Sequence, residues 1–211
     1  MSHVALLGDS IFDNAAYVHG GPDVIRQLRK ALPVGWKATL RAVDGAVAGS
    51  VRRQLEQLPP DATHLVLSIG GNDALGHMHV LEDASRSIAD ALNRLADIGS
   101  GFAYNYRRML EDVLARGLPT ATCTIYEPRF PDPRVQRLAV TALPTFNDVI
   151  IREAFLHGLP LIDLRLVCDE DADYANPIEP SSRGGAKIAA AIARLVTEHD
   201  FSRRRTEAFV R

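Results

Sequence analysis

The chain has 211 residues, of which 46% are hydrophobic and 24% are charged, and its formal net charge is -2 at pH 7. This length allows one domain with a sizeable core, so we expect a single domain over residues 1–211. The small net charge gives no electrostatic reason to expect nucleic acid or an anionic membrane as a partner.

The two cysteines, Cys123 and Cys168, lie far apart in the sequence and in no metal-type spacing. Neither a disulfide framework nor a zinc site is therefore expected. No apolar run approaches the length of a membrane span. The first apolar run has no basic region before it and leads directly into Gly8-Asp9-Ser10, so we do not expect a signal peptide. Together these features predict a cytoplasmic protein.

Short β-branched or leucine-rich runs alternate along the chain with longer amphipathic stretches, which is the pattern of a parallel sheet covered by helices on both faces. Strands are predicted at residues 3–7, 38–43, 64–69, 120–125 and 159–164. Helices are predicted at residues 22–32, 47–58, 81–98, 102–116, 133–157 and 182–199, with Gly99-Ser100-Gly101 as a break between two of them. The sequence thus predicts a flavodoxin-like three-layer α/β/α fold with a five-stranded parallel sheet.

Polar glycine turns end two of the predicted strands. Gly8-Asp9-Ser10 follows the first strand, and Gly70-Gly71-Asn72-Asp73 follows the third. In open α/β sheets, ligands bind at the carboxyl ends of the strands, so these turns should bring a serine hydroxyl and an asparagine amide together. A serine needs a neighbouring base and fixed donors for the developing oxyanion, and this pairing supplies the nucleophile and one donor.

Three motif blocks, Leu7-Gly8-Asp9-Ser10, Asp44-Gly45-Ala46 and Gly70-Gly71-Asn72-Asp73, resemble those of the SGNH hydrolases, also called GDSL esterases and lipases. The resemblance implies Ser10 as the nucleophile. It also implies an oxyanion hole made by the backbone amides of Ser10 and Gly45 and the side chain of Asn72. No cofactor or metal is implied. Asp73 is expected to cap the helix after its turn.

The fourth block departs from the family, whose members carry an Asp and a His three residues apart before the last helix. Here Asn176 occupies the Asp position and Glu179 the His position. Burial would raise the pKa of Glu179 and let its carboxylate act as the base for Ser10, with Asn176 orienting it through a hydrogen bond. Alternatively, Glu179 is an exposed loop acid and the chain is a catalytically silent relative.

Histidines offer a third source for the base. His77 and His79 lie just beyond the Gly-Gly-Asn-Asp turn, where the loop could supply an imidazole to Ser10, and His19 is a further candidate. No acidic or thiol ligands accompany them in sequence, so a metal site is not expected.

The predicted function is hydrolysis of a small ester or acetyl group through an acyl-enzyme on Ser10. The alternative is a catalytically silent domain of the same fold that binds a carboxylate or acyl ligand. The sequence does not define the oligomeric state.

Overall fold

A computed structural model describes residues 2–210, which form one sheet of six parallel strands between two layers of helices. The strands are β1 (His3–Gly8), β2 (Lys37–Leu40), β3 (His64–Ser68), β4 (Thr120–Cys123), β5 (Leu161–Ile162) and β6 (Ala208–Phe209). Their order across the sheet is β2-β1-β3-β4-β5-β6. The α/β prediction is confirmed, with one strand more than the five expected. The sixth strand has only two residues, too few for a recognisable pattern.

Eight α-helices are described, together with three short 3-10 helices at Ala48–Ser50, Met78–Leu81 and Asp171–Asp173. The α-helices are α1 (Val24–Ala31), α2 (Val51–Leu55), α3 (Gly71–Leu75), α4 (Ile88–Leu114), α5 (Pro133–Ala142), α6 (Pro144–His157), α7 (Leu164–Val167) and α8 (Ser182–Glu198). The helix predicted over residues 133–157 is two helices, and Pro144 occupies the first turn of the second one. Within residues 2–210, none of the helices has the length and apolar character that crossing a membrane requires.

Strand β1 is buried on both faces because alternate side chains point to opposite sides of the sheet. Val4 and Leu6 pack in the core that includes α1 and α8, while Ala5 and Leu7 pack in the core that includes α2, α4 and α6. This double burial explains why the first strand reads as a continuous apolar run.

The predicted break at Gly99-Ser100-Gly101 is wrong, because α4 continues through it from Ile88 to Leu114. A Cβ atom at Gly99 would lie 2.6 Å from Cγ2 of Thr145 in α6. Gly99 therefore lets two helices approach each other closely, and the glycine that looked like a helix breaker serves helix packing.

Candidate active site

Three turns meet at the carboxyl edge of the sheet. They follow β1, β2 and β3, which are neighbours in the sheet order, and they carry Ser10, Gly45 and Asn72 respectively. Because all strands are parallel, their carboxyl ends lie at one edge, where ligands bind in open α/β sheets. The fold thus brings together the segments that the sequence predicted to form the site.

The first turn has little freedom to move. Gly8 has φ +126°, and a Cβ there would lie 1.7 Å from the carbonyl oxygen of Ser68. The buried side chain of Gln54, in α2, accepts a hydrogen bond from the Gly8 amide at 2.8 Å and donates to the Gly8 carbonyl at 2.7 Å. The sequence analysis missed Gln54, since a glutamine in a short helix gives no signal of such a role. These contacts fix the backbone that presents Ser10.

Ser10 and Glu179 are in direct contact, although 168 residues separate them in the chain. The Ser10 hydroxyl donates a hydrogen bond to Oε1 of Glu179 at 3.0 Å. Both residues are buried, and Oε2 of Glu179 has no hydrogen-bond partner within residues 2–210. The structure therefore excludes the expectation that Glu179 is an exposed loop acid.

Burial is the main cause of an altered pKa at Glu179. It raises the pKa from 4.5 to about 7; the hydrogen bond from Ser10 lowers it, and the negative charge of Asp44 raises it. A carboxyl group with this pKa is both ionised in part and appreciably basic near neutral pH, which are the properties of an effective general base.

Asn176 does not make the contact expected of it. Its Oδ1 accepts hydrogen bonds from the backbone amides of Ile178 and Glu179, each at 3.0 Å, and no bond to the Glu179 carboxylate is present among the described residues. Asn176 thus shapes the turn that carries Glu179, in the manner of an Asx turn. The reason is geometric: side-chain oxygens of this residue type readily reach amides two and three residues ahead.

A second asparagine, which the sequence analysis missed, joins the two halves of the site. Asn14 is fully buried, its amide nitrogen donates to the carbonyl of Pro180 at 3.1 Å, and its Oδ1 accepts from the Val24 amide at 2.9 Å. Because Asn14 lies four residues after Ser10 and Pro180 follows Glu179, this side chain connects the segment that carries Ser10 to the segment that carries Glu179.

The candidate oxyanion donors lie around the first turn. Asn72 donates from its side-chain amide to the Ala46 carbonyl at 3.0 Å, which leaves its second N–H for a ligand. Gly45 has φ +75°, a conformation that favours glycine. Within residues 2–210, the backbone amides of Ser10 and Gly45 donate to no backbone or side-chain acceptor, so both remain available.

Asp73 does not cap a helix as expected. The N-cap position of α3 is Gly70, and Asp73 lies inside that helix. Its Oδ2 accepts a hydrogen bond from the Ala48 amide at 3.1 Å. The carboxylate therefore holds the segment after Gly45 against the segment that carries Asn72.

The histidines make no hydrogen bond to Ser10 within residues 2–210. The rings of His77 and His79 lie 6.5 Å apart, and His77 also lies 6.4 Å from the ring of Phe146. His77 does line the same cavity as Ser10, whereas His19 is exposed. No group of three or more metal-binding side chains occurs in the described part of the chain.

Asp9 is a second buried carboxyl group, directly before Ser10 in the chain. Its burial raises its pKa from 3.8 to about 8; a hydrogen bond from the Ile11 amide lowers it, and the charges of Glu179 and Asp73 raise it. Asp9 is therefore largely neutral at pH 7, so Glu179 need not share the site with a full second negative charge.

A cavity extends from Ser10 and Glu179 into the helical layer. It encloses about 960 Å³ when the open solvent at its mouth is counted. Ser10 and Glu179 line it together with apolar side chains from α3, α4, α5 and α6. Within residues 2–210, no lysine or arginine lines it. The site is thus an apolar cavity with a buried Ser-Glu pair.

The chain matches the family model of the GDSL-like lipases and acylhydrolases over residues 6–187. Acylhydrolases with a parallel α/β fold are the class of protein that this match and the sheet define. The chain belongs to the GDSL-like lipase/acylhydrolase family, and at the level of this family it is an ester hydrolase. No curated protein matches the chain.

Solved structures with the same fold include three lipolytic enzymes. An extracellular lipase from Streptomyces rimosus is 14% identical, with a TM-score of 0.67, covering 95% of this chain and 100% of its own. A lipase from a goat rumen metagenome is 19% identical, with a TM-score of 0.68 and coverages of 90% and 94%. Phospholipase A1 from Streptomyces albidoflavus is 17% identical, with a TM-score of 0.63 and coverages of 94% and 99%. At these identities, the similarity shows a shared fold.

Proposed function

We propose that this chain hydrolyses a small ester through an acyl-enzyme on Ser10, with Glu179 as the general base in place of the family's histidine. The observation that carries the proposal is the 3.0 Å hydrogen bond from the Ser10 hydroxyl to the buried Glu179 carboxylate. A base within hydrogen-bond reach is the first requirement for activating a serine.

The reaction follows from these positions. Glu179 takes the hydroxyl proton of Ser10 while the Ser10 oxygen attacks the ester carbonyl carbon. The carbonyl oxygen then becomes negatively charged. Glu179 then gives the proton to the leaving alcohol, and the acyl group stays on Ser10. Water attacks the acyl-enzyme and loses a proton to Glu179, after which Ser10 recovers its proton and the acid leaves.

The proposed oxyanion hole consists of the Ser10 and Gly45 amides and the Asn72 side chain. Support comes from the available N–H groups at all three residues and from the contacts of Gln54 and Asp73, which hold the turns that carry them. Donors fixed before the reaction stabilise the developing charge without reorganisation.

The charges that line the cavity do not favour the alternative, a catalytically silent domain that binds a carboxylate. Two carboxyl groups, those of Asp9 and Glu179, line the cavity, and no lysine or arginine in residues 2–210 lines it. A carboxylate ligand would therefore meet two carboxyl groups and neither a lysine nor an arginine. An uncharged acyl ligand would fit, and the experiment below distinguishes binding from turnover.

The experiment measures release of p-nitrophenol from p-nitrophenyl acetate and covalent labelling by a fluorophosphonate. The wild type should turn over the ester and become labelled once, while Ser10→Ala should do neither. The exposed Ser100→Ala variant, in α4, serves as the matched control and should behave as the wild type. If wild type and Ser10→Ala show the same background with short esters and the fluorophosphonate labels neither, the chain is a silent domain.

A further inference from the structure

We infer that Tyr126 is a positioning residue for Glu179, which holds the Glu179 carboxylate toward Ser10 through a hydrogen bond to the backbone directly before it. This inference rests on the proposed function and concerns the proposed base. A catalytic base is usually oriented by a third group. Here Oε1 of Glu179 accepts a hydrogen bond from Ser10, and Oε2 has no partner within residues 2–210. The direction of the carboxylate therefore depends on the backbone that carries it.

The backbone around Glu179 is held at four consecutive carbonyl groups, those of residues 177–180. Two of the donors are backbone amides and two are side chains. The hydrogen bonds run from the Arg129 amide to Pro177 at 2.7 Å, from the Tyr126 hydroxyl to Ile178 at 2.8 Å, from the Ala175 amide to Glu179 at 2.8 Å, and from the Asn14 side chain to Pro180 at 3.1 Å. The two side-chain donors thus fix the residues on either side of Glu179. Of these two, Tyr126 also lines the cavity.

Tyr126 is itself held in place from two sides. It follows β4, and the residue before it, Ile125, exchanges two backbone hydrogen bonds with the buried side chain of Asn147 in α6, each at 2.8 Å. The ring of Tyr126 packs edge-to-face against the ring of Tyr174, at the start of the segment that carries the proposed base, with centroids 5.0 Å apart. A connected set of contacts therefore runs from α6 through Tyr126 to that segment.

The Tyr126 hydroxyl is available as a donor at every pH at which Glu179 changes its charge. Tyr126 is buried, and burial raises its pKa well above the ordinary range; the negative charge of Glu179 adds to this rise. The hydroxyl therefore keeps its proton while Glu179 titrates, and its bond to the Ile178 carbonyl persists. Removing the hydroxyl would release the backbone directly before Glu179.

The first experiment compares Tyr126→Phe with a matched control, Tyr106→Phe, by measuring kcat and KM for p-nitrophenyl acetate. Both changes remove one hydroxyl from a buried tyrosine, but the Tyr106 hydroxyl bonds that of Thr122 at 2.9 Å, and Tyr106 does not line the cavity. Because a small misplacement of a reacting group is costly, Tyr126→Phe should lower kcat by about tenfold to a hundredfold with little change in KM. Tyr106→Phe should keep the wild-type kcat. An unchanged kcat in Tyr126→Phe, or an equal loss in both variants, would overturn the inference.

A mutant cycle tests whether Tyr126 acts through Glu179. The rate constant for labelling of Ser10 by a fluorophosphonate is measured in the wild type, Tyr126→Phe, Glu179→Gln and the double variant. Tyr126→Phe should slow labelling at least about tenfold in the wild type but less than about twofold in the Glu179→Gln background, where no base remains to be positioned. The same loss in both backgrounds would indicate a general effect on the fold and contradict the inference.

A measurement on Glu179 itself decides the inference even if no ester is hydrolysed. The Glu179 carboxyl group is titrated by ¹³C NMR in protein labelled at glutamate Cδ, and Glu179→Gln assigns its resonance. Burial raises the pKa of Glu179 to about 7. In Tyr126→Phe the carboxylate should gain access to water, so its pKa should fall by at least about 0.5, while Tyr106→Phe should leave it unchanged.

Identical titration curves for Tyr126→Phe and the wild type would overturn the inference. A lowered pKa in Tyr126→Phe, when the wild type neither hydrolyses esters nor becomes labelled, would instead refute the proposed function alone.

Discussion

Glu179 is unusual because a single buried carboxyl group stands where an imidazole is expected. Burial raises its pKa to about 7, close to the ordinary pKa of about 6.5 of a histidine. In the proposed mechanism, Glu179 thus has a proton affinity like that of histidine but the opposite charge pattern, since it is negative before it takes the proton and neutral afterwards. A protonated Glu179 is neutral, so the proposed base needs no oppositely charged partner, and Asn176 contacts the Glu179 backbone amide instead of its carboxylate.

The pH profile of wild-type kcat/KM should reflect this base. Because the carboxylate is the active form, activity should rise with pH and reach half its plateau near the raised pKa of about 7. Glu179→Gln keeps the shape without the basicity and should lower kcat/KM by roughly two to four orders of magnitude. Full activity of Glu179→Gln, with loss in His77→Ala or His79→Ala, would assign the base to the loop after α3.

Asn176 should act as a positioning residue through its two backbone contacts. Asn176→Asp keeps the oxygen that accepts from Ile178 and Glu179, so turnover should stay close to that of the wild type, while the added negative charge should move the pH profile to higher pH. Asn176→Ala loses both bonds and should lower kcat and destabilise the fold by roughly 1–2 kcal/mol. Chemical denaturation and the pH profile check both variants. A large loss of kcat in Asn176→Asp would show that its amide nitrogen is needed.

The side-chain amide of Asn72 is proposed to donate a hydrogen bond to the oxyanion. Asn72→Ala should lower kcat by roughly two to three orders of magnitude with little change in KM, because the donor acts on charge that develops only in the transition state. The exposed Asn93→Ala variant in α4 is the control. Unchanged turnover in a folded Asn72→Ala protein would remove this side chain from the oxyanion hole.

At the scale of elements, close packing of α4 and α6 matters to the site, because both helices line the cavity. Their contact depends on Gly99, where the missing side chain makes room for Thr145. The same helix carries Gly101, which is exposed and where an added Cβ would meet nothing within 4 Å. Two glycines two residues apart thus have opposite roles.

Alanine substitutions at the two glycines should change stability in opposite directions. Gly101→Ala should raise the free energy of unfolding by roughly 0.5–1 kcal/mol, since alanine is the better helix former. Gly99→Ala should lower it by roughly 1–3 kcal/mol through the clash with Thr145. Adding Thr145→Ser, which removes the clashing methyl group, should recover part of that loss. Equal stabilisation by both alanines in urea denaturation would contradict this account of the contact.

At the scale of the whole molecule, folding buries the carboxyl group of Asp9 at the carboxyl edge of the sheet. This residue is 2% exposed, and its pKa rises from 3.8 to about 8 on burial. The folded protein therefore holds a proton on Asp9 that the unfolded chain releases above its lower pKa. Stability from this group is complete below that lower pKa and is lost as pH rises toward the folded value.

Asp9→Asn should remove this dependence on pH. Between about pH 4 and 8, the stability of the wild type should fall relative to Asp9→Asn by up to about 1.4 kcal/mol per pH unit. Urea denaturation across this range measures the difference. The exposed Glu82→Gln variant controls for the loss of one carboxyl group. Parallel curves for wild type and Asp9→Asn would mean that Asp9 ionises at its ordinary pKa in the folded protein.

Local patterns in the sequence were sufficient to predict the parallel α/β fold and the turns that carry Ser10 and Asn72, while the family resemblance added Gly45. The alternation of apolar runs with amphipathic stretches indicates how far each element is buried. The glycine turns indicate backbone conformations that favour glycine, such as Gly8 at φ +126°. Both signals lie within a few consecutive residues, so a single sequence shows them.

Contacts between distant segments could only be decided by the tertiary structure. Glu179 reads equally well as a surface acid or as a base until packing shows it buried against Ser10. In the sequence, Gly99 was interpreted as a helix break. Its packing role depends on Thr145, which belongs to another helix and is distant in the sequence. Asn14 and Gln54 give no signal, since their partners are backbone groups elsewhere in the chain. Burial and long-range hydrogen bonds depend on how elements pack, and these decide which polar residues form the candidate site.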